Sequence, residues 1–299
     1  MMPDPAFAEW MRAVQVRMEA ALDGFLPSDT EAPAQLHAAM RYAVLDGGKR
    51  VRPLLAFAAG AVFEAPEAAL ARAAAAVEMI HAYSLVHDDM PCMDDDALRR
   101  GKPTVHVQFG EATALLAGDA LQSQAFLVLA EGSDAVDPAR RVAMLRLLAD
   151  ASGSRGMCGG QAIDLASVGL TLTLPQLEQM HRLKTGALLR VSVMLGALCG
   201  KTLTPTEEAA LNDYAAAVGL AFQVVDDVLD ATADSGTLGK TAGKDAADNK
   251  PTYVSMLGLE QSQALARKLR DDAHKALAPF GDRAHLLREL ANLIVQRKA

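Results

Sequence analysis

The sequence predicts an all-α protein, and two observations support this. Of its 299 residues, 51% are hydrophobic but only 4% are aromatic. Ala, Leu and Val must therefore supply the core, which suits close-packed helices better than sheets, because sheets favour β-branched and aromatic residues. Apolar residues also recur at helical spacing in one segment after another. The segment 170–175 is the one that could be a strand, but it is short and ends in Pro175, so we expect it to lead into a helix.

Proline and glycine mark the predicted helix ends. The pair Gly47-Gly48 is a C-terminal stop signal. Pro66 opens a long helix that ends where Pro91 removes a backbone donor. The segment 111–130 is apolar on most faces, which is typical of a helix buried all round. The predicted helices cover 5–22, the segment from after Thr30 to Gly47, 53–63, 67–90, 111–130, 137–151, 155–166, 174–183, 185–199, 205–231, 259–278 and 283–297.

Composition also limits the partners and the compartment. The formal net charge of −8 argues against a nucleic-acid partner, which requires a basic face. Three cysteines without CxxC spacing predict reduced thiols in a cytoplasmic protein. There is no signal-peptide pattern, and the longest uncharged run, 165–177, is shorter than the roughly 20 residues that span a bilayer. We therefore predict a soluble protein without a membrane segment. No linker divides the chain, so we predict that residues 1–299 form one domain.

Two aspartate clusters lie far apart in the chain, and each follows an apolar helical stretch. The first contains Asp88-Asp89 and 94–96, and the second is Asp226-Asp227-Val-Leu-Asp230. A like-charged pair at about 4 Å costs roughly 4 kcal/mol at an effective dielectric near 20, so such clusters attract a cation. All-oxygen ligands favour Mg²⁺, which binds one or two carboxylates together with substrate phosphates. With Lys and Arg following each cluster, the sequence predicts a diphosphate site.

Each cluster also has a simpler interpretation. Asp226 and Asp230 share one helix face. They could simply be solvated residues in the last turn of the helix. Carboxylates are unfavourable at the negative C-terminal end of a helix, however, which favours a functional role. An exposed acidic loop is the alternative for the first cluster. There, Pro91 interrupts the helix, so the chain can curl and bring Asp94 back toward Asp88.

Basic and polar residues elsewhere are weaker signals. Three cations, Lys49, Arg50 and Arg52, follow Gly47-Gly48 on a tight turn that leads into a helix start, a place that favours anions, but basic turns are usually solvated surface. His81 lies two helical turns before Asp88 on the same face. It could equally be a buried core residue or part of a binding site. For Gln161 and Asp164, cavity lining and buried hydrogen bonding are also equally open.

Together these motifs resemble the trans-prenyl diphosphate synthases, of the bacterial farnesyl diphosphate synthase type. The second cluster has the family's Asp-Asp-x-x-Asp form, and the six-residue step from Asp88 to Asp94 matches the bacterial and plant branch. The matching segments follow the family's order and cover most of the chain: 47–53, 78–89, 93–104, 118–121, 159–161, 181–186, 222–230 and 238–240.

The resemblance implies a fold, a reaction and a set of site residues. The fold is a single large helical bundle of the isoprenoid synthase type around a central cavity, in a homodimer. The reaction is the Mg²⁺-dependent condensation of isopentenyl diphosphate with an allylic diphosphate through an allylic cation. The metal ligands are Asp88, Asp89, Asp94, Asp226, Asp227 and Asp230. The allylic diphosphate lies on Arg99, Lys184 and Lys240, and isopentenyl diphosphate on Gly48, Lys49, Arg52, His81 and Arg100. Lys184, Thr185 and Gln223 face the cation.

The resemblance also implies a product length. An aromatic side chain at Tyr83, five residues before Asp88, acts as the cavity floor in the family, and Ser84 lies beside it. This predicts farnesyl diphosphate as the product, with geranylgeranyl diphosphate as the alternative.

Three other functions compete with this one. A class I terpene cyclase has a second metal motif that mixes Asn, Ser or Thr, and Glu, which Asp226-Asp227-Val-Leu-Asp230 does not. A helical metal-dependent phosphohydrolase could use His87-Asp88, but it needs further His ligands, and only His37 and His81 lie nearby upstream. A non-catalytic partner subunit typically loses one aspartate cluster, and both are present here.

Overall fold

A computed structural model describes residues 4–45, 47–132, 134–232 and 251–297. These residues are mainly helical, which confirms the all-α prediction. A π-helix, Arg182–Gly186, joins α9 to α10, and a 3₁₀ helix, Ala278–Ala284, precedes α14. The helices are α1 (Pro5–Phe25), α2 (Ala34–Val44), α3 (Val51–Val62), α4 (Glu67–Asp88), α5 (Val105–Phe109), α6 (Glu111–Glu131), α7 (Pro138–Ser152), α8 (Met157–Ala166), α9 (Leu174–His181), α10 (Ala187–Gly200), α11 (Pro205–Thr232), α12 (Tyr253–Leu257), α13 (Leu259–Ala276) and α14 (His285–Gln296).

Helix α4 is the central helix of the main core. It packs against α6, α10 and α3, and its run of alanines, 73–76, has no exposed surface. Small side chains let the helices approach closely. At Gly196 of α10, for example, a Cβ atom would lie 2.1 Å from the carbonyl oxygen of Ala56 in α3. Because α4 ends at Asp88, this packing holds the first aspartate cluster at the end of a rigid helix.

A second apolar cluster lies under the other aspartates. It joins α9, α11, α12 and α13 through buried residues that include Leu177, Val224, Tyr253 and Ala266. Helix α11 packs mainly against α13 and α10 and also contacts α14. The second aspartate cluster is therefore positioned by helices from the C-terminal part of the chain.

The predicted boundaries are confirmed in most helices, and the exceptions have physical causes. Helix α2 begins only at Ala34, because Pro33 is its N-cap residue. The helix predicted at 185–199 begins only at Ala187, because the π-helix occupies the residues before it. A π-helix has no distinct composition, so the sequence does not predict it. A two-stranded hairpin, β1 (Leu98–Arg99) and β2 (Lys102–Pro103), was not predicted. Its strands of two residues are too short to show an alternating pattern.

The prediction that 111–130 is buried all round is wrong. Helix α6 buries its small face, including Ala114, Ala117 and Gly118. On its outer side Leu116 and Leu127 remain 55% and 51% exposed. Apolar composition predicts burial but cannot show which face has a partner within the same chain.

Three described helical segments, Glu67–Asp88, Glu111–Glu131 and Leu174–Gly200, are long and apolar enough to cross a membrane. The sequence argument missed them because it considered uninterrupted uncharged runs only. In the first and third segments, 72% and 61% of the most apolar window is buried inside the protein, against 39% in the second. Most of the apolar surface of the first and third segments therefore packs in the core. Solubility stays a prediction.

Candidate active site

Two cavities lie next to each other along the C-terminal half of α4. The larger, about 440 Å³, is bounded by α4, α8 and the π-helix. The other, about 380 Å³, lies at the start of α3. Arg52 and His81 line both cavities and form their common wall. The larger cavity is lined by residues that include Tyr83, Ser84, Asp88, Cys158, Gln161, Lys184 and Thr185. The other is lined by residues that include Gly48, Lys49, Arg52, Glu78, His81, Arg100 and Phe222.

The acidic loop after α4 curls back on the helix end, as predicted from Pro91. The Asp94 amide donates to the Asp88 carbonyl at 2.9 Å, and the Asp96 amide donates to the Asp89 carbonyl at 3.2 Å. Asp95 adopts a positive φ of 49° within this turn. The curl therefore brings the two halves of the first cluster together.

Asp89 is held by Arg99. Its carboxylate is only 3% exposed, and Arg99 Nε donates to Oδ2 at 2.8 Å. The hairpin directs Arg99 back toward α4, because Arg100 and Gly101 form a two-residue turn with φ of 54° and 76°. Burial opposes the charge of Arg99, but the hydrogen bond and charge of Asp89 outweigh it and raise the pKa of the guanidinium. Both residues also line a third cavity of about 110 Å³.

Asp88 faces the larger cavity and has a perturbed acidity. Burial raises the pKa of this carboxyl to about 6; the charge of Asp94 adds to the shift and that of Lys184 opposes it. Lys184 lies in the same cavity and donates to Asp164 Oδ2 at 2.6 Å. Burial disfavours its ammonium, but Asp164 and Asp88 outweigh this and raise the pKa of Lys184. The cavity therefore contains a fixed cation together with a carboxyl group whose charged form is disfavoured by burial.

The π-helix carries Lys184 and Thr185 into the cavity. Two glycines make room for its widened turn. A Cβ atom on Gly160 of α8 would lie 2.1 Å from the Lys184 amide nitrogen, and one on Gly219 of α11 would lie 3.1 Å from Gly186 Cα. Such turns are frequent at functional sites, and here the turn brings two predicted site residues into the cavity wall.

A chain of hydrogen bonds links Thr185 to the second aspartate cluster. Thr185 Oγ1 donates to Gln223 Oε1 at 3.2 Å, and Gln223 Nε2 donates to Asp227 Oδ1 at 3.1 Å. The other oxygen of Asp227 accepts from the Tyr253 amide at 2.8 Å. Asp227 is 4% exposed, so this carboxylate joins the π-helix, α11 and α12.

Asp226 pairs with an arginine from the end of the described chain. Arg297 donates to its carboxylate and, at 2.8 Å, to the Phe222 carbonyl. The guanidinium carbon lies 3.9 Å from the centre of the Phe222 ring. Burial lowers the pKa of Arg297, and the charge of Asp226 opposes that shift. Asp226 remains 41% exposed, whereas Asp230 is buried at 9%.

The cavity at the start of α3 is called the basic cavity below, because Lys49, Arg50, Arg52 and Arg100 line it. Its arginines differ in whether a carboxylate pairs with them. Arg50, with a φ of 49°, also lines the cavity, but its guanidinium is paired with Glu78 at 2.7 Å and Glu19 at 2.8 Å. Arg52 and Arg100 face the cavity. Burial is the main cause that lowers the pKa of each, and the charge of Glu78 opposes it. The buried Nε of Arg52 has no hydrogen-bond partner among the described residues.

Two further features make the basic cavity suited to an anion. At Gly48, with a φ of 108°, a Cβ atom would lie 2.5 Å from the Arg100 guanidinium, so only glycine lets this cation approach the turn. Burial and the neighbouring Arg52 and Arg100 hold the pKa of His81 well below its usual value. Its ring is therefore neutral and can donate one hydrogen bond.

The structure brings most predicted site residues together in two groups. Tyr83, Ser84, Asp88, Lys184 and Thr185 share the larger cavity. All five residues predicted to bind isopentenyl diphosphate line the other. Of the open cases, Gln161 lines the larger cavity, where its buried amide lacks a partner among the described residues, and Asp164 bonds Lys184.

The predictions for Lys240 and for the metal ligands are not confirmed by this arrangement. Lys240 lies outside the described residues. Among those described, no three His, Cys, Asp or Glu side chains are close enough to hold a metal ion. The predicted ligands Asp89 and Asp227 are instead hydrogen-bonded to other protein groups. Sequence reasoning also missed Glu78, Tyr253 and Arg297. Arg297 carries no motif that could indicate its contact with Asp226.

Comparison with known proteins supports the same family. The profile of the polyprenyl synthetase family matches residues 33–281. Farnesyl diphosphate synthase of Escherichia coli is 50% identical over 262 residues, or 86% of this chain and 88% of that protein. A probable farnesyl diphosphate synthase of Bradyrhizobium diazoefficiens is 51% identical over 284 residues, or 94% of this chain and 85% of that protein.

A solved structure extends the likeness to the fold. The apo crystal structure of an FPP/GFPP synthase from Zymomonas mobilis superposes with a TM-score of 0.87 at 41% identity, covering 97% of this chain and 99% of that one. The family profile spans most of the sequence. Asp88 and the turn at Gly48 line the cavities, and Asp227 is linked to the cavity residue Thr185 through Gln223. The chain belongs to the polyprenyl synthetase family.

Proposed function

We propose that the chain is a farnesyl diphosphate synthase, a prenyltransferase that condenses isopentenyl diphosphate with dimethylallyl and then geranyl diphosphate through an allylic cation. One observation above all supports this assignment. An acid- and lysine-containing cavity with apolar walls shares Arg52 and His81 with a basic cavity. Two diphosphates bound in these cavities would present their hydrocarbon parts to each other across that wall.

The residues present fit a divalent metal ion. Members of this family use divalent metals, and we propose Mg²⁺ because every acid concerned offers oxygen ligands. Asp88 faces the larger cavity, and the curled loop brings Asp94 back to it, so a bound cation there would offset the charge of two neighbouring acids. We propose that Asp88, Asp94, Asp226 and Asp230 hold the metal, and that Asp89 and Asp227 join them by exchanging their present hydrogen bonds. The bound ion would neutralise the diphosphate leaving group.

The two substrates are assigned to the two cavities. The allylic diphosphate would lie at Arg99 and Lys184, with Lys240 as a further ligand predicted from the sequence. Isopentenyl diphosphate would lie on Gly48, Lys49, Arg52, His81 and Arg100. Because Arg99 bonds Asp89 and Arg100 lines the basic cavity, adjacent arginines would serve different substrates.

The remaining residues protect and shape the cation. The backbone and hydroxyl dipoles of Lys184 and Thr185, with Gln223, would face the developing positive charge, since fixed dipoles stabilise charge best in a water-poor site. Methionines 90, 93 and 157 line the same cavity and exclude water, which would quench the cation. Tyr83 and Ser84 would limit the length of the product.

We also propose a homodimer in the cytoplasm. The outer side of α6 exposes Leu116 and Leu127, and Leu115 is also exposed at the edge of the larger cavity; exposed apolar groups of this kind are candidates for a protein interface. A second copy of α6 would cover this outer side by packing the same face against itself.

The test is a product assay. Purified protein is incubated with Mg²⁺, isopentenyl diphosphate and either dimethylallyl or geranyl diphosphate, and the products are sized by chromatography. We expect farnesyl diphosphate from both primers. Predominant geranylgeranyl diphosphate would assign the alternative product, and phosphate release from nucleotides without prenyl transfer would assign a phosphohydrolase instead.

A further inference from the structure

The phenol of Tyr83 is held from two sides. Its side chain is only 5% exposed, and its hydroxyl lies 3.3 Å from Cys158 Sγ on α8, across the larger cavity. On the side of its own helix, its ring meets His87 edge-on with 5.6 Å between ring centres. The position of this ring therefore depends on contacts from two directions.

His87 is fixed in turn by α6. Its Nε2 lies 3.0 Å from the Leu115 carbonyl oxygen, and a Cβ atom at Gly118 would lie 2.0 Å from the same nitrogen. Glycine therefore provides the space that His87 occupies. One edge of the Tyr83 ring rests on this rigid support, and the contact with Cys158 determines how the hydroxyl end is held.

Tyr83 and Cys158 line the same cavity as Asp88 and Lys184. A hydrocarbon tail whose diphosphate lies at Asp88 and Lys184 would therefore extend past both side chains. Burial raises the pKa of Tyr83 well above its usual value, so its hydroxyl stays neutral and available as a hydrogen-bond donor. Cys158 is exposed to the cavity, whereas Cys199 is buried.

We propose that Cys158 is a positioning residue for chain length: through its hydrogen bond with Tyr83 it holds the phenol across the path of the growing tail. The proposal rests on the proposed function, since it concerns the product of that reaction. Sulfur is a weak hydrogen-bond partner. The phenol is therefore restrained rather than locked, and removal of the thiol lets it swing aside without disturbing the rest of the cavity.

The test compares product distributions of single variants. In Cys158→Ala the hydroxyl loses the thiol and keeps only its hydrogen bond with the Gln122 side chain. We expect the share of geranylgeranyl diphosphate to rise roughly twofold, the low end of the range for the loss of one hydrogen bond, because sulfur is a weak partner. Cys158→Ser retains a partner and should keep the wild-type distribution. Cys92→Ala is the matched control, because Cys92 lines the same cavity and undergoes the same thiol-to-methyl change.

A second variant separates positioning from volume. Tyr83→Phe keeps the ring and removes the hydroxyl, so it should reproduce the shift of Cys158→Ala, and the double variant should add little to either. If Cys158→Ala lengthens the product but Tyr83→Phe does not, the added space alone is responsible and the positioning role is wrong. It is also wrong if both variants fold with wild-type melting temperatures and make the wild-type products.

A failure of this proposal can be distinguished from a failure of the proposed function. If the wild type condenses no prenyl diphosphate, the proposed function fails before any variant is compared. If the wild type makes farnesyl diphosphate and the variants do not differ from it, only the role of Cys158 fails.

Discussion

At the end of α4, Asp89 bonds Arg99, ten residues further along the chain, whereas in α11 the carboxylate of Asp227 bonds Gln223 of its own helix and the Tyr253 amide of α12. The neighbours of these aspartates differ too. Asp88 faces the larger cavity, and Asp226 pairs with Arg297 from the far end of the described chain. In each cluster one buried aspartate holds the local structure together. In the first cluster Asp89 is paired with a cation close to it in sequence, Arg99, whereas in the second Asp226 is paired with a cation from the C-terminal end of the described chain, Arg297.

The largest effect is expected on turnover. Asp88→Ala and Asp226→Ala each remove a proposed metal ligand, so each should lower kcat by about 10²-fold or more, comparable to losing one strong electrostatic contact in an active site. Steady-state assays with geranyl and isopentenyl diphosphates measure this. A near-normal rate in either variant contradicts the metal assignment.

The same two variants should differ in stability without metal. Asp88→Ala relieves repulsion in a cluster with too little positive charge, so its melting temperature should equal or exceed that of the wild type. Asp226→Ala leaves Arg297 without its carboxylate partner, and since that side chain is only 11% exposed, the melting temperature should fall. Equal shifts in both variants would contradict the difference between the clusters.

The two buried aspartates, Asp89 and Asp227, should also differ in how much they contribute to the free energy of unfolding. Asp227→Ala leaves the Tyr253 amide and the Gln223 side chain without an acceptor, at a cost of about 1 to 3 kcal/mol for a buried group. Asp89→Ala should cost less, because Arg99 is 35% exposed and can turn to water. Urea unfolding of both variants, with Asp227→Asn as the isosteric control, measures the order. A larger loss for Asp89→Ala would reverse the argument.

Sequence reasoning worked where short-range chemistry controls the structure. Pro91 predicted the curl that joins Asp94 to Asp88, and the glycine-basic turn predicted the side chains that line the second cavity. It failed where packing between distant segments decides. Nothing near Asp226 indicates Arg297, because their contact requires α14 to pack against α11. The π-helix was missed because its residues would equally suit an α-helix, and the exposed face of α6 because composition does not identify partners.

The pH dependence of Asp88 offers a smaller effect. Its pKa of about 6 in the folded protein lies above the usual value of 3.8 for an aspartate. The folded state therefore binds the proton more tightly than the unfolded state, and this site loses stability as pH rises from about 4 to 6. Asp88→Asn mimics the protonated form. Without metal, the variant should melt close to the wild type at acidic pH and a few degrees above it at neutral pH, roughly 2–4 °C per kcal/mol.

Calorimetry at both pH values measures this difference. His181 acts in the opposite direction, since burial lowers its pKa to about 4, and its protonation in the unfolded state costs stability as pH falls below its usual value. Because His181 is present in both proteins, its contribution cancels in the comparison. A constant difference between the two proteins across this range would contradict the assignment to Asp88.

The smallest effect should come from Arg297. Its guanidinium occupies the Asp226 carboxylate, so it competes with a cation for that ligand. Arg297 is 11% exposed and Asp226 is 41% exposed, so the pair is partly buried and should be worth at least as much as an exposed ion pair of about 0.2 to 1 kcal/mol. Arg297→Ala should therefore tighten Mg²⁺ binding by roughly 1.5-fold or more. Titration calorimetry with Mg²⁺ and inorganic diphosphate measures the Mg²⁺ affinity of the wild type and of each variant. Arg297→Lys keeps the charge, and its Mg²⁺ affinity should lie between those of the wild type and Arg297→Ala. The first cluster provides the comparison: Arg99 holds Asp89 rather than Asp88, so Arg99→Ala should weaken diphosphate binding instead. Tighter binding in both variants would show that the two arginines act alike and that the clusters do not differ in this respect.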